Sequence, residues 1–151
     1  MPPLDILLVE DNPADAGLVR EALKDVPKAT HLHVLPHAQE AIAFLRREGS
    51  YLQAPRPTLI LLDIHMPFSG YSVLDALTDS PRLHDIPAVI FSGSANEEDK
   101  MQAYAKGAQG YIDKNQPMEE LFQALTSLVE NLPCSGEGQT RGTDKSGNSR
   151  L

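Results

Sequence analysis

Apolar residues along the chain gather into five short runs, each followed by a stretch whose apolar positions recur at helical spacing. The runs are residues 4–9 (LDILLV), 32–35 (LHVL), 59–62 (LILL), 88–91 (AVIF) and 111–112 (YI). The first, third and fourth are apolar at consecutive positions, the pattern of parallel strands covered on both faces. The second and fifth are more polar, which predicts edge strands.

The helical stretches carry their own start and stop signals. Asn12-Pro13 puts a capping side chain before a proline at the first helical position, predicting a helix over 13–24 with Leu18, Ala22 and Leu23 on one side. The second is predicted over 38–48, with Ala41, Ile42 and Leu45 apolar and Gly49 as its stop. The third covers 71–78 after Gly70, and the mostly polar fourth covers 95–106, ending at Gly107. The fifth, over 118–132, has a stripe of Leu121, Leu125, Leu128 and Leu132, flanked by Phe122 and Val129, which are expected to lie partly outside the core. Five alternations of strand and helix predict an α/β fold: a doubly wound, five-stranded parallel sheet with right-handed crossovers and helices on both faces.

Composition divides the chain unevenly. Residues 133–151 hold four Gly, three Ser and two Thr with almost no apolar mass, too little to offset the entropy of ordering. They read as a flexible polar tail behind one domain at 4–132, too small for a DNA-binding or catalytic output unit. At 41% hydrophobic and 23% charged the chain is an ordinary globular one. A net charge of −8 argues against nucleic acid as the main ligand, because such binding rests on basic patches. No apolar run reaches the roughly 18–20 residues of a membrane span, and the N-terminus lacks the features of a signal peptide, so the expectation is a cytoplasmic protein. The lone Cys134 leaves no intrachain disulfide.

In an open α/β sheet the ligand site lies beyond the carboxyl ends of the strands. The first run exits into Glu10-Asp11, the third into Asp63, the fourth into Ser92, and the fifth, after Asp113, into Lys114. Three carboxylates, a hydroxyl and an ammonium are therefore expected at one rim. Clustered carboxylates repel unless positive charge sits among them. Lys114 supplies one such charge, and an all-oxygen ligand set suits a hard cation such as Mg²⁺. That combination fits phosphoryl transfer, which needs an in-line nucleophile and charge neutralisation. Asp63 is the best nucleophile, a carboxylate at the end of the most hydrophobic run. Ser92 is placed to hydrogen-bond a new phosphoryl oxygen and Lys114 to pair with it.

These motifs, LLVEDNPAD, LILLDIHMP, AVIFSGS and GAQGYIDK, resemble in order those of a response regulator receiver domain of the CheY-like superfamily. The resemblance spans about 4–132 and implies the flavodoxin-like (βα)5 sheet order 2-1-3-4-5. It implies phosphorylation at Asp63, and metal ligation by Asp11, Asp63, the backbone carbonyl of His65 and, through a water, Glu10. Ser92 becomes the switch hydroxyl, Tyr111 the aromatic that turns inward with it, and Lys114 the phosphoryl contact. EDNPAD, FLRREG and APRP are more narrowly similar to stand-alone receivers that partner phytochrome-type histidine kinases.

Three departures from the family pattern stand out. The acidic pair is Glu-Asp, the loop Phe68-Ser69-Gly70 is one residue short, and Lys114 is followed by Asn115 rather than proline. A cis bond before a non-proline residue costs about 2.5–4 kcal/mol, which disfavours the family's cis peptide here. Asp113, beside Lys114, is expected by strand alternation to share the face of Tyr111 and point away from the site.

The resemblance implies a single-domain signalling protein of a two-component phosphorelay, not a metabolic enzyme, with intrinsic phosphotransfer and autodephosphorylation. A sensor histidine kinase is the implied partner, and self-association through the fourth and fifth helices and the fifth strand is expected. Two other functions compete. A haloacid-dehalogenase-type phosphatase would place an aspartate where His65 stands, and a flavodoxin-like flavin module would need a phosphate cradle where EDNPAD stands. His31, His33 and His37 fall within seven residues, but a zinc site needs further ligands, and they read as a solvated strand edge. His65 is expected beside the phosphoryl group, where His65→Asn would change the lifetime of the aspartyl-phosphate.

Overall fold

A computed structural model of the chain describes residues 4–64, 70–93 and 96–132. Its strands are β1 (Leu4–Val9), β2 (Thr30–Leu35), β3 (Leu59–Leu62), β4 (Ala88–Ser92) and β5 (Gly110–Asp113). They alternate with helices α1 (Pro13–Lys24), α2 (Ala38–Arg46), α3 (Tyr71–Thr78), α4 (Glu97–Ala105) and α5 (Met118–Glu130), plus a 3-10 turn at Gly49–Tyr51. The strands form one sheet in the order β2-β1-β3-β4-β5, and every pairing is parallel. This is the doubly wound, flavodoxin-like fold expected from the sequence, with β2 and β5 at the edges.

Strand alternation divides the core into two layers. Leu7, Val9, Ile60, Leu62 and Ile90 pack on one face with Ala41, Leu45, Val73, Leu74 and Ala103 of α2, α3 and α4. Ile6, Leu8, Leu59, Leu61 and Phe91 pack on the other with Val19, Ala22, Leu121 and Leu125 of α1 and α5. Every residue of β3 and β4 is buried, which is why those runs are continuously apolar. At about 1.5–3 kcal/mol per buried aliphatic side chain, these central strands anchor the fold.

The structure corrects several boundaries. Strand β2 begins at Thr30 rather than 32, because Thr30 and His31 pair in register with Leu4 and Asp5 although neither is apolar. Gly110 and Asp113 join β5 in the same way, paired with Val89 and Ser92. Helix α2 ends at Arg46, not 48, and Gly49 is not its stop. Arg47 takes the left-handed conformation (φ 57°), its amide reaching Phe44 O and the Glu48 amide reaching Ala43 O, the hydrogen bonds of a Schellman cap. Helix α4 starts at Glu97, after Asn96, whose side chain accepts from the Glu98 and Asp99 amides at 2.8 and 3.3 Å. Helix α5 ends at Glu130, and Val129 is buried in the core while Phe122 and Leu128 are half-buried. Lys28, between α1 and β2, donates to the Glu130 and Leu132 carbonyls at 2.9 and 2.8 Å, capping the end of α5.

No helix among the described residues is long and apolar enough to cross a membrane. Cys134, with all of 133–151, lies outside the described residues.

Candidate metal and phosphoryl-acceptor site

Because the strands are parallel, their carboxyl ends share one rim, and residues following β1, β3 and β5 meet there. Among the described residues, the buried polar or charged side chains are Glu10, Asp63 and Ser92, all three at this rim. Burying carboxylates is costly unless they are paired or bind a cation.

The compensation within the chain is Lys114. Its Nζ lies 2.6 Å from Glu10 Oε1, 2.8 Å from Asp15 Oδ2 and 3.0 Å from Asp63 Oδ2. The ammonium also sits 5.2 Å from the centre of the Phe91 ring. Burial on its own would lower the Lys114 pKa, but pairing with the Asp15, Glu10 and Asp63 carboxylates outweighs it and holds the group firmly protonated. Burial pushes the Glu10 carboxyl up to about 7, with Lys114 pulling it back and the Asp63 carboxylate adding to the rise.

Glu10, Asp11 and Asp63 each offer an oxygen, all within 4.8 Å of one another, with Asp11 exposed at the mouth. Carboxylates alone, without His or Cys, suit Mg²⁺, Ca²⁺ or Mn²⁺. Buried Glu10 Oε1 has no aligned hydrogen bond, despite the nearby ammonium, and so keeps a lone pair for a cation. The residues present therefore fit a hard divalent ion.

The surrounding elements hold the site in place. Asn12 Oδ1 accepts from the Ala14 and Asp15 amides at 2.8 and 3.4 Å, fixing the first turn of α1 beside Glu10-Asp11. The Lys114 amide donates to Ser92 O at 2.9 Å, locking the end of β5 to that of β4. Asn115 Nδ2 donates to Gly93 O at 2.6 Å across the same gap. Ser92 is fully buried, and half-buried Tyr111 packs on the core layer of α2, α3 and α4, with Lys100 Nζ 5.8 Å from its ring centre.

The sequence-predicted group of Glu10, Asp11, Asp63 and Lys114 is thus brought together, with Ser92 at the same rim. Asp113 stays out of it, its carboxylate accepting from the Asn115 amide at 2.8 Å. No peptide bond among the described residues is cis, the Lys114–Asn115 bond included. His65 and most of the shortened loop, Phe68-Ser69, lie outside the described residues. Among the described residues no candidate metal group includes a histidine, and His33 Nε2 lies 3.0 Å from Asp5 Oδ1, with its ring 5.3 Å from that of Phe44. Sequence reasoning missed Asp15, whose signal was an acid in the first helical turn directly behind Glu10-Asp11.

Comparison with known proteins agrees with this geometry. The model of the response regulator receiver domain matches residues 6–126. Response regulator Rcp1 of Synechocystis sp. is 38% identical over 128 residues, covering 84% of this chain and 87% of that protein. Among solved structures, the phosphorylated cyanobacterial phytochrome response regulator RcpA aligns with a TM-score of 0.80 at 37% identity, covering 88% of this chain and 100% of that one. The Mn²⁺-bound form of Rcp1 aligns at 0.79 and 36% identity, covering 87% and 100%. Neither competing function is favoured, and for a flavin the helix amides of Ala14 and Asp15 already donate to Asn12. Residue chemistry, sheet order and sequence similarity lead to one assignment: the chain belongs to the response regulator receiver domain family.

Proposed function

We propose that Asp63 accepts a phosphoryl group from the phosphohistidine of a sensor histidine kinase, with Mg²⁺ as the bound cation. The observation that carries this reading is the buried Asp63 carboxylate, 3.0 Å from the Lys114 ammonium and grouped with Glu10 and Asp11. In the transfer, the N–P bond of the donor breaks as an Asp63 oxygen forms the new O–P bond, and Lys114 pairs with charge on the transferred group. Glu10, Asp11 and Asp63, with the His65 carbonyl, would hold Mg²⁺, which when bound neutralises phosphoryl charge. Ser92 and Tyr111 are the groups proposed to respond, shifting the α4-β5-α5 face between two populations. Hydrolysis of the aspartyl-phosphate by the chain itself returns it to the starting state.

The similarity to phytochrome response regulators supports a phytochrome-type kinase as the donor. Exposed Met101 and Tyr104 on α4 and Met118 on α5 support homodimerisation through that face. The proposed setting is cytoplasmic, with residues 4–132 as receiver and 133–151 as a tail.

Intact mass after incubation with Mg²⁺ and a small phosphodonor tests the acceptor. Wild type gains one phosphoryl group and Asp63→Asn gains none. No gain in wild type, or equal gain in both, overturns the assignment. A monomeric mass by light scattering in both the unmodified and phosphorylated states overturns the dimer.

A further inference from the structure

Lys114 Nζ makes aligned hydrogen bonds to Asp15 and Asp63 and lies 2.6 Å from Glu10 Oε1 in an ion pair. An ammonium has three N–H donors, and here three carboxylates surround it. Two of them, Glu10 and Asp63, belong to the trio whose oxygens converge for a cation. Asp15 stands outside that trio. Its place is set by the first turn of α1, where the Asn12 cap holds its amide, rather than by the strand ends. A phosphoryl group on Asp63 adds negative charge and new acceptor oxygens, and Lys114 turns toward them against the pull of the Asp15 carboxylate that already holds it. The hydrogen bond to Asp15, 2.8 Å long with both side chains mostly buried, anchors the ammonium toward α1.

Resting on the phospho-acceptor reading above, we propose that Asp15 is a positioning residue that competes with the phosphoryl group for Lys114 and so sets how tightly the activated state is held. Asp15 is not among the three carboxylates that converge for a cation. It acts through Lys114, by making departure of the ammonium costly. A chain with a neutral side chain there holds Lys114 less firmly on the α1 side, and the phosphoryl group gains the donor at lower cost.

Beryllofluoride, a tetrahedral phosphoryl mimic, tests this by titration in the presence of Mg²⁺. Asp15→Asn is expected to bind it about tenfold more tightly than wild type, the scale of one charged hydrogen bond at a partly exposed position. Asp15→Glu, which keeps the charge on a longer arm, is expected to return toward the wild-type affinity. Glu21→Gln removes an equal charge from the exposed side of α1 and is expected to change nothing, which separates competition from general charge. In a Lys114→Met background, Asp15→Asn is expected to lose its effect, because the competition needs the ammonium. Wild-type affinity in Asp15→Asn, or the same tightening in Asp15→Glu, overturns the proposal and leaves Asp63 as acceptor untouched. Absence of Mg²⁺-dependent beryllofluoride binding in wild type overturns the acceptor reading and this inference together.

Discussion

Gly70 lies directly against the backbone of Asp63. A Cβ built at Gly70 falls 2.6 Å from the Asp63 carbonyl oxygen and 3.0 Å from Ile64 Cα. Both neighbours are backbone at the end of the central strand, which has no side-chain rotamer to yield. The glycine starting α3 is therefore a steric requirement of the proposed phosphorylation site. Gly70→Ala is expected to push Asp63 off its position, destabilising the fold by about 1–3 kcal/mol and lowering phosphoryl uptake. The urea midpoint and the intact-mass assay check this, and an unchanged midpoint would contradict the contact.

The state of Glu10 gives metal binding a pH dependence. A carboxyl raised to about 7 is mostly protonated at pH 6 and mostly ionised at pH 8, so the affinity for a divalent cation is expected to rise over that interval. The rise approaches about tenfold per pH unit below 7. The corresponding effect on stability has the opposite sense. Between 4.5, the ordinary value, and about 7, the folded chain binds a proton that the unfolded chain releases, so the Glu10 contribution to stability falls as pH rises. Calorimetric titration with Mn²⁺ at pH 6 and 8, beside Glu10→Gln with its flattened profile, measures the first effect.

Asn12 is exposed, yet it holds the α1 turn that carries Asp15. Asn12→Ala is expected to cost about 1 kcal/mol as a lost N-cap, whereas Asn12→Asp keeps an acceptor and stays near wild type. Thermal unfolding of the two variants separates capping from charge.

Lys28 bonds at once to the Glu130 carbonyl that ends α5 and to the Leu132 carbonyl just beyond it. Lys28→Met is expected to cost about 0.3–1 kcal/mol, the ordinary value of a cation at a helix C-terminus. Hydrogen exchange of the last turn of α5 should quicken relative to that of β3. Equal exchange in variant and wild type would count against the cap.

What the sequence made legible follows from where its physics is local. The fully buried strands β3 and β4 announce themselves as apolar runs, and Asn12-Pro13 marks the start of α1 with its own side chain. Edge strands are harder to see. Thr30 and His31 enter β2 through backbone pairing with Leu4 and Asp5, which no periodicity records. Arg47 in a left-handed cap was hidden because a nearby glycine looked the better stop. At the site, Glu10, Asp11, Asp63 and Lys114 were legible because strand ends in a parallel sheet converge. Asp15 was not, since its meeting with a residue 99 positions away depends on how α1 lies over the sheet.

The Lys28 clamp also fixes the pole of the molecule at which α5 ends. By tying Leu132 to the connection between α1 and β2, it leaves α5 at the rim where the strands begin, opposite the one that holds Asp63. The six residues of β1 at roughly 3.3 Å each separate the two rims by about 20 Å. Leu132, the last described residue, thus lies at the opposite pole of the molecule from Asp63.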